Sequence, residues 1–419
     1  LSSGGESAVS KGSKRKTFES VVLPWMAESS TMATAEKKET SIRLKYNGKW
    51  IRVSESVILK HPGGQVITQY DNSDASQMFD AFHAGSAKAY KQLEALLKNA
   101  PVEEDEAKAL EAAQSARLDR TDINISAYDI TIEQEKKMCK RFEELRQEVI
   151  RRGMLEGAPY YYTFKVCEII FFMLTAFYLQ YSEWYFTSAL VLGLCFQQLG
   201  WLTHEFCHQQ PVKDRERNNQ FAILLGNAAQ GFSADWWKDK HNTHHAVCNI
   251  VEQDGDIDIT PLVALIPADL LKYKAPLERA VLKIVPYQHL YFTLTLPLIR
   301  YSWLVQSIQW AFSEHNSAFR VYRRNALAEQ ITLAIHWAWI GLQLYLLPSN
   351  LIRFMYFFVS QSLGGVLVGH VVTYSHNSVD KYPANSRIMN NFAALQILTT
   401  RNMQPSPFID WFWGGLNYQ

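Results

Sequence analysis

Residues 184–208 read WYFTSALVLGLCFQQLGWLTHEFCH. The first twenty, 184–203, carry no charge and have the length of a helix that crosses a bilayer. The run ends on His204-Glu205-Phe206-Cys207-His208, where histidines at i and i+4 share one face of the emerging helix. A second box, His241-Asn242-Thr243-His244-His245, starts 37 residues after His204, and its i, i+3 and i+4 imidazoles again line one face. Five of the 12 histidines lie in these two short segments. Neutral imidazoles in that number suit a borderline metal such as iron or zinc.

Outward from this stretch the apolar runs recur. Residues 166–182 are apolar apart from Glu168, and residues 330–352 and 354–379 are uncharged runs divided by Arg353. These predict four spanning helices in two hairpins, with short turns at Tyr181–Glu183 and Pro348–Arg353. Lys213, Arg215, Arg217, Arg323, Arg324, Lys381 and Arg387 crowd the other ends, which the positive-inside rule assigns to the cytosol. Both boxes belong to that side. Residues 284–313 hold one charge, Arg300, with Pro286, His289 and Pro297, and are expected to lie in the interface or dip in as a hairpin.

The 419 residues admit two or three domains, and a net charge of +1 argues against a general nucleic-acid partner. The 13% aromatic share suits a membrane interface. The cysteines, Cys139, Cys167, Cys195, Cys207 and Cys248, are odd in number and form no CxxC, which fits a reducing, cytosol-facing protein without a disulfide framework. The chain opens on Leu1, and Met32 heads a plausible start. Residues 1–31 are therefore expected to be non-native or leader sequence, and 1–43 to be poorly ordered.

Residues 44–98 read as a small α+β domain, with a strand near Lys49–Val53 and a helix over 86–98 that places Tyr90, Leu93 and Leu97 on one face. His61-Pro62-Gly63-Gly64 is followed 22 residues later by His83, within Phe82-His83-Ala84-Gly85-Ser86. Two histidines from separate short elements can bind opposite faces of a haem, and the Pro-Gly-Gly turn reverses the chain just after the first. Phe79 and Phe82 would flank the second ligand. Residues 99–127, charged and Ala-rich around Pro101, read as a linker. Residues 128–153 read as an amphipathic helix with Met138, Phe142, Leu145 and Val149 on its apolar face.

HEFCH also fits HExxH, the zinc-protease spacing in which Glu205 would be the general base. The second box and an electron-carrying haem domain have no task in that scheme. His289, His315 and His336 stand alone and read as core or interfacial residues. A membrane-anchored haem electron carrier would need one anchor helix and no boxes.

The two boxes, the apolar stretch between them and the N-terminal histidine pair resemble the cytochrome b5-fused front-end fatty-acid desaturases. Asp235-Trp236-Trp237-Lys238-Asp239-Lys240 and Asp380-Lys381-Tyr382-Pro383-Ala384-Asn385 are similar to the animal Δ6 branch. The resemblance runs from about residue 44 to the end. It implies an α+β cytochrome b5-like domain (44–98), a linker (99–127) and an all-α polytopic membrane domain (128–419) with a cytosolic di-iron site. It implies haem b on His61 and His83, and two non-haem irons on His204, His208, His241, His244 and His245. An additional ligand is expected near the end of the last span, His376 in preference to His370.

The family's third box, Gln-x-x-His-His, would begin at Gln419, so the 419-residue stretch is expected to lack part of the metal site and to be inactive alone. Two departures from the family pattern are the absence of a Tyr-Asp-Val-Thr-like turn in KWIRVSESVILK (49–60) and Glu205 in place of the usual Asp. The implied reaction is O2-dependent insertion of a double bond between an existing one and the carboxyl end of a polyunsaturated C18 acyl chain, carried on CoA or phospholipid. The implied electron source is an NADH-cytochrome b5 reductase, and the implied location the endoplasmic reticulum membrane, with haem domain and boxes facing the cytosol. Δ5 fatty acyl and Δ8 sphingolipid desaturation remain alternatives on the same scaffold.

Overall fold

Residues 41–115, 126–259, 262–313 and 318–415 are described by a computed structural model. Residues 1–40 of the expected leader, residues 116–125 of the linker, His315 and Gln419 lie outside the described residues, whereas residues 41–43, assigned to the leader, open the first strand of the small domain.

Asn47 and Gly48 both take positive φ, 47° and 79°, as a two-residue type I′ hairpin requires. That turn pairs β1 (Ser41–Tyr46) with β2 (Lys49–Ser54) antiparallel, Tyr46 opposite Lys49, and β3 (Ser73–Asp74) joins β1 in parallel. Ile42, Leu44, Ile51 and Val53 point into the core, where Ile58, Tyr70, Met78 and Leu93 meet them. Met78 comes from α1 (Ser76–Phe82) and Leu93 from α2 (Ala87–Asn99). Part of the stretch read as a linker is helical: α3 (Glu104–Ser115) is tied to the sheet by Glu106 to Arg43 and Arg52 and by Glu111 to Trp50.

The amphipathic helix is α4 (Ile132–Arg151), opened by a capping box between Thr131 and Gln134. Phe142 meets Phe392 edge-on and Met138 packs on the same core, but Leu145 is 59% exposed. Only part of the apolar face expected from periodicity is therefore covered.

Among the described residues three helices are long and apolar enough to cross a membrane: α5 (Pro159–Tyr181), α6 (Tyr185–Cys207) and the stretch Asn350–Asn377. α6 is buried along most of its length, whereas α5 turns Phe164, Phe171, Leu174 and Tyr178 outward. The second box lies on α7 (Ala234–Ala246). Residues 284–313 form no hairpin. α8 (Gln288–Ala311) runs unbroken through Pro297. α9 (Arg320–Tyr345) then leads to α10 (Asn350–Val372), and a shorter α11 (Phe392–Thr399) follows.

α10 packs between α6 and α8. Small residues permit the approach: a Cβ on Gly193 would lie 2.8 Å from Leu363 Cβ, and one on Gly365 would lie 2.6 Å from the Pro297 carbonyl. α9 starts ten residues before its apolar run, and within that run Gln330, His336 and Gln343, with Glu329 just before it, lower the mean hydropathy, so it falls outside the apolar set.

Candidate metal centre

The last turn of α6 delivers His204, and His208 follows at its C-terminal end. Ser233 caps α7, its hydroxyl accepting from the Trp236 amide, at the start of the helix on which His241 and His245 face the first box and His244 faces His376. His376 comes from the turn that continues α10.

These side chains converge as two adjoining sets. His204, His208, His241 and His245 form the first, with ligand atoms all within 4.8 Å of one another. Its Nε2 atoms approach to 3.1 Å between His204 and His241 and 3.0 Å between His245 and His241. His244, Cys248 and His376 form the second, with 3.4 Å between the Nε2 atoms of His244 and His376. The second box is therefore divided: residues 241 and 245 serve one set and residue 244 the other. The rings of His241 and His244 stack at 5.3 Å, so the two sets share a wall. His370 stays on its helix, where Nδ1 meets the Val366 carbonyl at 2.8 Å, and belongs to neither set.

Carboxylates fix the tautomers. His204 Nδ1 lies 3.0 Å from Glu205, His241 Nδ1 3.2 Å from Asp256, and His244 Nδ1 2.8 Å from Asp254. A carboxylate only accepts, so each Nδ1 carries a proton and Nε2 is the nitrogen left to bind a metal, in His244 once its Nε2 proton is displaced. Lone pairs facing each other at about 3 Å repel unless a cation lies between them. Among the described residues, His208 Nε2 is buried with no hydrogen-bond partner. Divalent metal ions fit this donor set, four imidazoles on one side and two imidazoles with a thiol on the other.

Burial drives the histidines towards the neutral, ligating form. It holds His241 at about 3, and His208 and His245 well below the usual imidazole range. His244 differs: burial would lower it, but the Asp254 carboxylate raises it well above that range. Burial would also raise the Cys248 thiol, yet the neighbouring His244 brings it down to about 6. Asp254, Asp256 and Cys248 escaped the sequence reading. The signal available was Asp254-Gly255-Asp256, one short turn after the box.

A second arrangement lies in the N-terminal module. The rings of His61 and His83 lie edge to face, with centroids 6.2 Å apart and planes inclined by 63°. Nδ1 of His61 lies 3.3 Å from the Gly64 carbonyl and Nδ1 of His83 lies 2.9 Å from the Phe79 carbonyl, which leaves both Nε2 atoms as acceptors. Burial, with the nearby His83, lowers His61 to about 4, and burial lowers His83 as well. Phe79 stacks on His83 at 4.3 Å. Two neutral imidazoles in an apolar slot fit a bis-histidine haem.

A family profile described as fatty acid desaturase matches residues 182–419, which hold both boxes. The chain belongs to the fatty acid desaturase family. This desaturase is 58% identical over 384 residues to the Delta(6)-fatty-acid desaturase fat-3 of Caenorhabditis elegans, covering 92% of this chain and 86% of that one. It is 42% identical over 388 residues to the Delta(5) fatty acid desaturase fat-4 of the same animal, covering 93% and 86%. It is 33% identical over 366 residues to a Delta(8)-fatty-acid desaturase of Euglena gracilis, covering 87% and 80%. The chain is an oxidoreductase of lipid metabolism on these grounds.

Proposed function

We propose that this desaturase inserts a Δ6 double bond into polyunsaturated C18 acyl chains, with electrons arriving through its own cytochrome b5-like module. The observation that carries the reading is the meeting of two histidine sets from helices far apart in sequence, each with its Nε2 atoms turned inward. The 58% identity to a Δ6 enzyme, against 42% to a Δ5 and 33% to a Δ8 enzyme, favours Δ6.

His204, His208, His241 and His245 would hold one iron, and His244 and His376 its neighbour. An alkyl chain offers no acidic proton and no leaving group, so the metal pair supplies the oxidising chemistry: O2, two electrons, two protons and the two hydrogens of the acyl chain become two waters and one double bond. The chain's own residues do the rest. Glu205, Asp256 and Asp254 keep the imidazoles oriented and protonated at Nδ1. Trp237 packs on His241, with ring centroids 4.1 Å apart and planes tilted by 32°, and helps exclude water from the first set.

His61 and His83 would bind haem b within residues 44–98, residues 99–127 connect, and residues 128–419 form the desaturase domain. We infer four spans, with α9 joining the three apolar helices through its uncharged part. We place the chain in the endoplasmic reticulum membrane, boxes and haem facing the cytosol, with an NADH-cytochrome b5 reductase as electron source and an acyl-CoA or phospholipid as substrate.

Expression of the full-length protein in a desaturase-null host fed linoleic and α-linolenic acids tests this, the new double bond being located by mass spectrometry. A double bond at carbon 6, abolished by His244→Ala, is expected. A bond at carbon 5 or 8 would overturn the regiospecificity, and no new bond would overturn the reading itself.

A further inference from the structure

Among the contacts that seat the N-terminal module on the rest of the chain, three come from residues near its two histidines and a fourth from Tyr70. The Leu59 carbonyl accepts from the Arg320 amide at 2.9 Å. Gln65 Nε2 donates to Asp239 Oδ2 at 2.9 Å. The Tyr70 hydroxyl donates to the Ala246 carbonyl at 2.9 Å. Phe82 meets Phe392 edge-on, with centroids 5.7 Å apart. Leu59 and Gln65 bracket His61, and Phe82 adjoins His83. On the other side, Asp239 and Ala246 bracket the second box.

Asp239 is the hub. It is 5% exposed, and its second oxygen accepts from the Tyr322 hydroxyl of α9 at 3.0 Å. Gly64 sits against this fork with φ +68°, and a Cβ there would lie 2.1 Å from the Tyr322 hydroxyl and 2.8 Å from Asp239 Oδ1. The glycine is thus required both by its backbone and by the closeness of the fork. Apolar packing is continuous across the junction: Ile58, Tyr70 and Met78 share one core with Ala246, Tyr322 and Phe392. A freely swinging module on a flexible linker would leave a wet, polar surface there.

We propose that the Gln65–Asp239–Tyr322 fork is a docking latch that seats the module on α7 in one orientation, with the His61 loop held directly against the helix of the second box. Gln65 lies four residues from His61 and Asp239 two residues from His241, so the hydrogen bond between them joins the segments that carry the two histidine sites. The three side chains are positioning residues. The inference rests on the reading of His61 and His83 as haem ligands, and it replaces random encounter along a tether by a fixed separation.

The Arg320 amide reports docking, because the first amides of a helix have no partner within it and this one is bonded across the junction. Hydrogen exchange would be followed on the haem-loaded, full-length protein in lipid nanodiscs. Slow exchange at Arg320 is expected. A Gln65→Ala/Tyr322→Phe variant is expected to lose protection there and over residues 59–70 by on the order of tenfold, with the haem absorbance unchanged. An Arg320 amide that exchanges freely while β1 and β2 stay protected and haem is bound would overturn the latch alone. A chain that never takes up haem would overturn the reading of His61 and His83, and the latch with it. Gly64→Ala gives an independent check: it should loosen the same amides, and full protection in that variant would contradict the geometry.

Discussion

At the scale of residues, the carboxylates behind the histidines decide how well a metal is held. Asp254 is fully buried, yet it accepts from His244 Nδ1 and from the Asn249 amide. Asp254→Asn keeps the volume but removes the charge that fixes the His244 tautomer. It should weaken iron binding by about 10- to 100-fold, read by competition with a chelator; an unchanged affinity would contradict the role given to it. The haem pair makes a pH prediction in the haem-free protein. The folded value of His61 is about 4, against 6.5 for the ordinary side chain. Between those values the unfolded chain binds a proton that the folded one does not. Stability should therefore fall as pH drops from 7 towards 4, with a contribution of about 3 kcal/mol from this group. Thermal unfolding of the haem-free module signal at pH 7.5 and pH 5 checks the sign, and equal stability at both would contradict it.

At the scale of elements, α7 matters most, because three proposed ligands ride on it. Its N-terminus is held twice, by the Ser233 cap and by Glu329 of α9, which accepts from the Ser233 hydroxyl and from the Asp235 amide. Ser233→Ala should cost about 1–2 kcal/mol in thermal unfolding and lower the iron retained on purification, and neither change should appear in a surface Ser→Ala control. Much of this level was legible in the sequence. The spacing within HEFCH and HNTHH placed the imidazoles on helix faces, and the uncharged runs placed the apolar helices. Other parts were not. Hydropathy measures depth in hydrocarbon rather than helix ends, so the charged opening of α9 was invisible. Pro297 looked like a break, but a helix packed against Gly365 of a neighbour tolerates it. The division of the second box between two sets depends on where α6 and the turn that continues α10 bring their histidines to α7, which no local pattern records.

At the scale of the whole molecule, sites distant in sequence are drawn together by a few polar anchors in a shared core. Gln65 and Asp239 are 174 residues apart, Tyr70 and Ala246 176, and His244 and His376 132. Pairings that far apart leave no periodic trace, so the histidines could be picked out while their grouping, the orienting aspartates and the seating of the N-terminal module could not. If His61 serves haem alone, His61→Ala should abolish haem absorbance while leaving the non-haem iron content of the purified full-length protein unchanged. Loss of both together would instead mean that the module is needed to fold the membrane domain.

The histidines make two adjoining metal positions rather than one. Metal analysis of the purified full-length protein, set against its haem content and repeated with His376→Ala, tests this most directly. Two non-haem irons per haem, with a marked loss of iron in the variant, are predicted. A single metal per haem, zinc in place of iron, or a variant that keeps both irons would contradict the account.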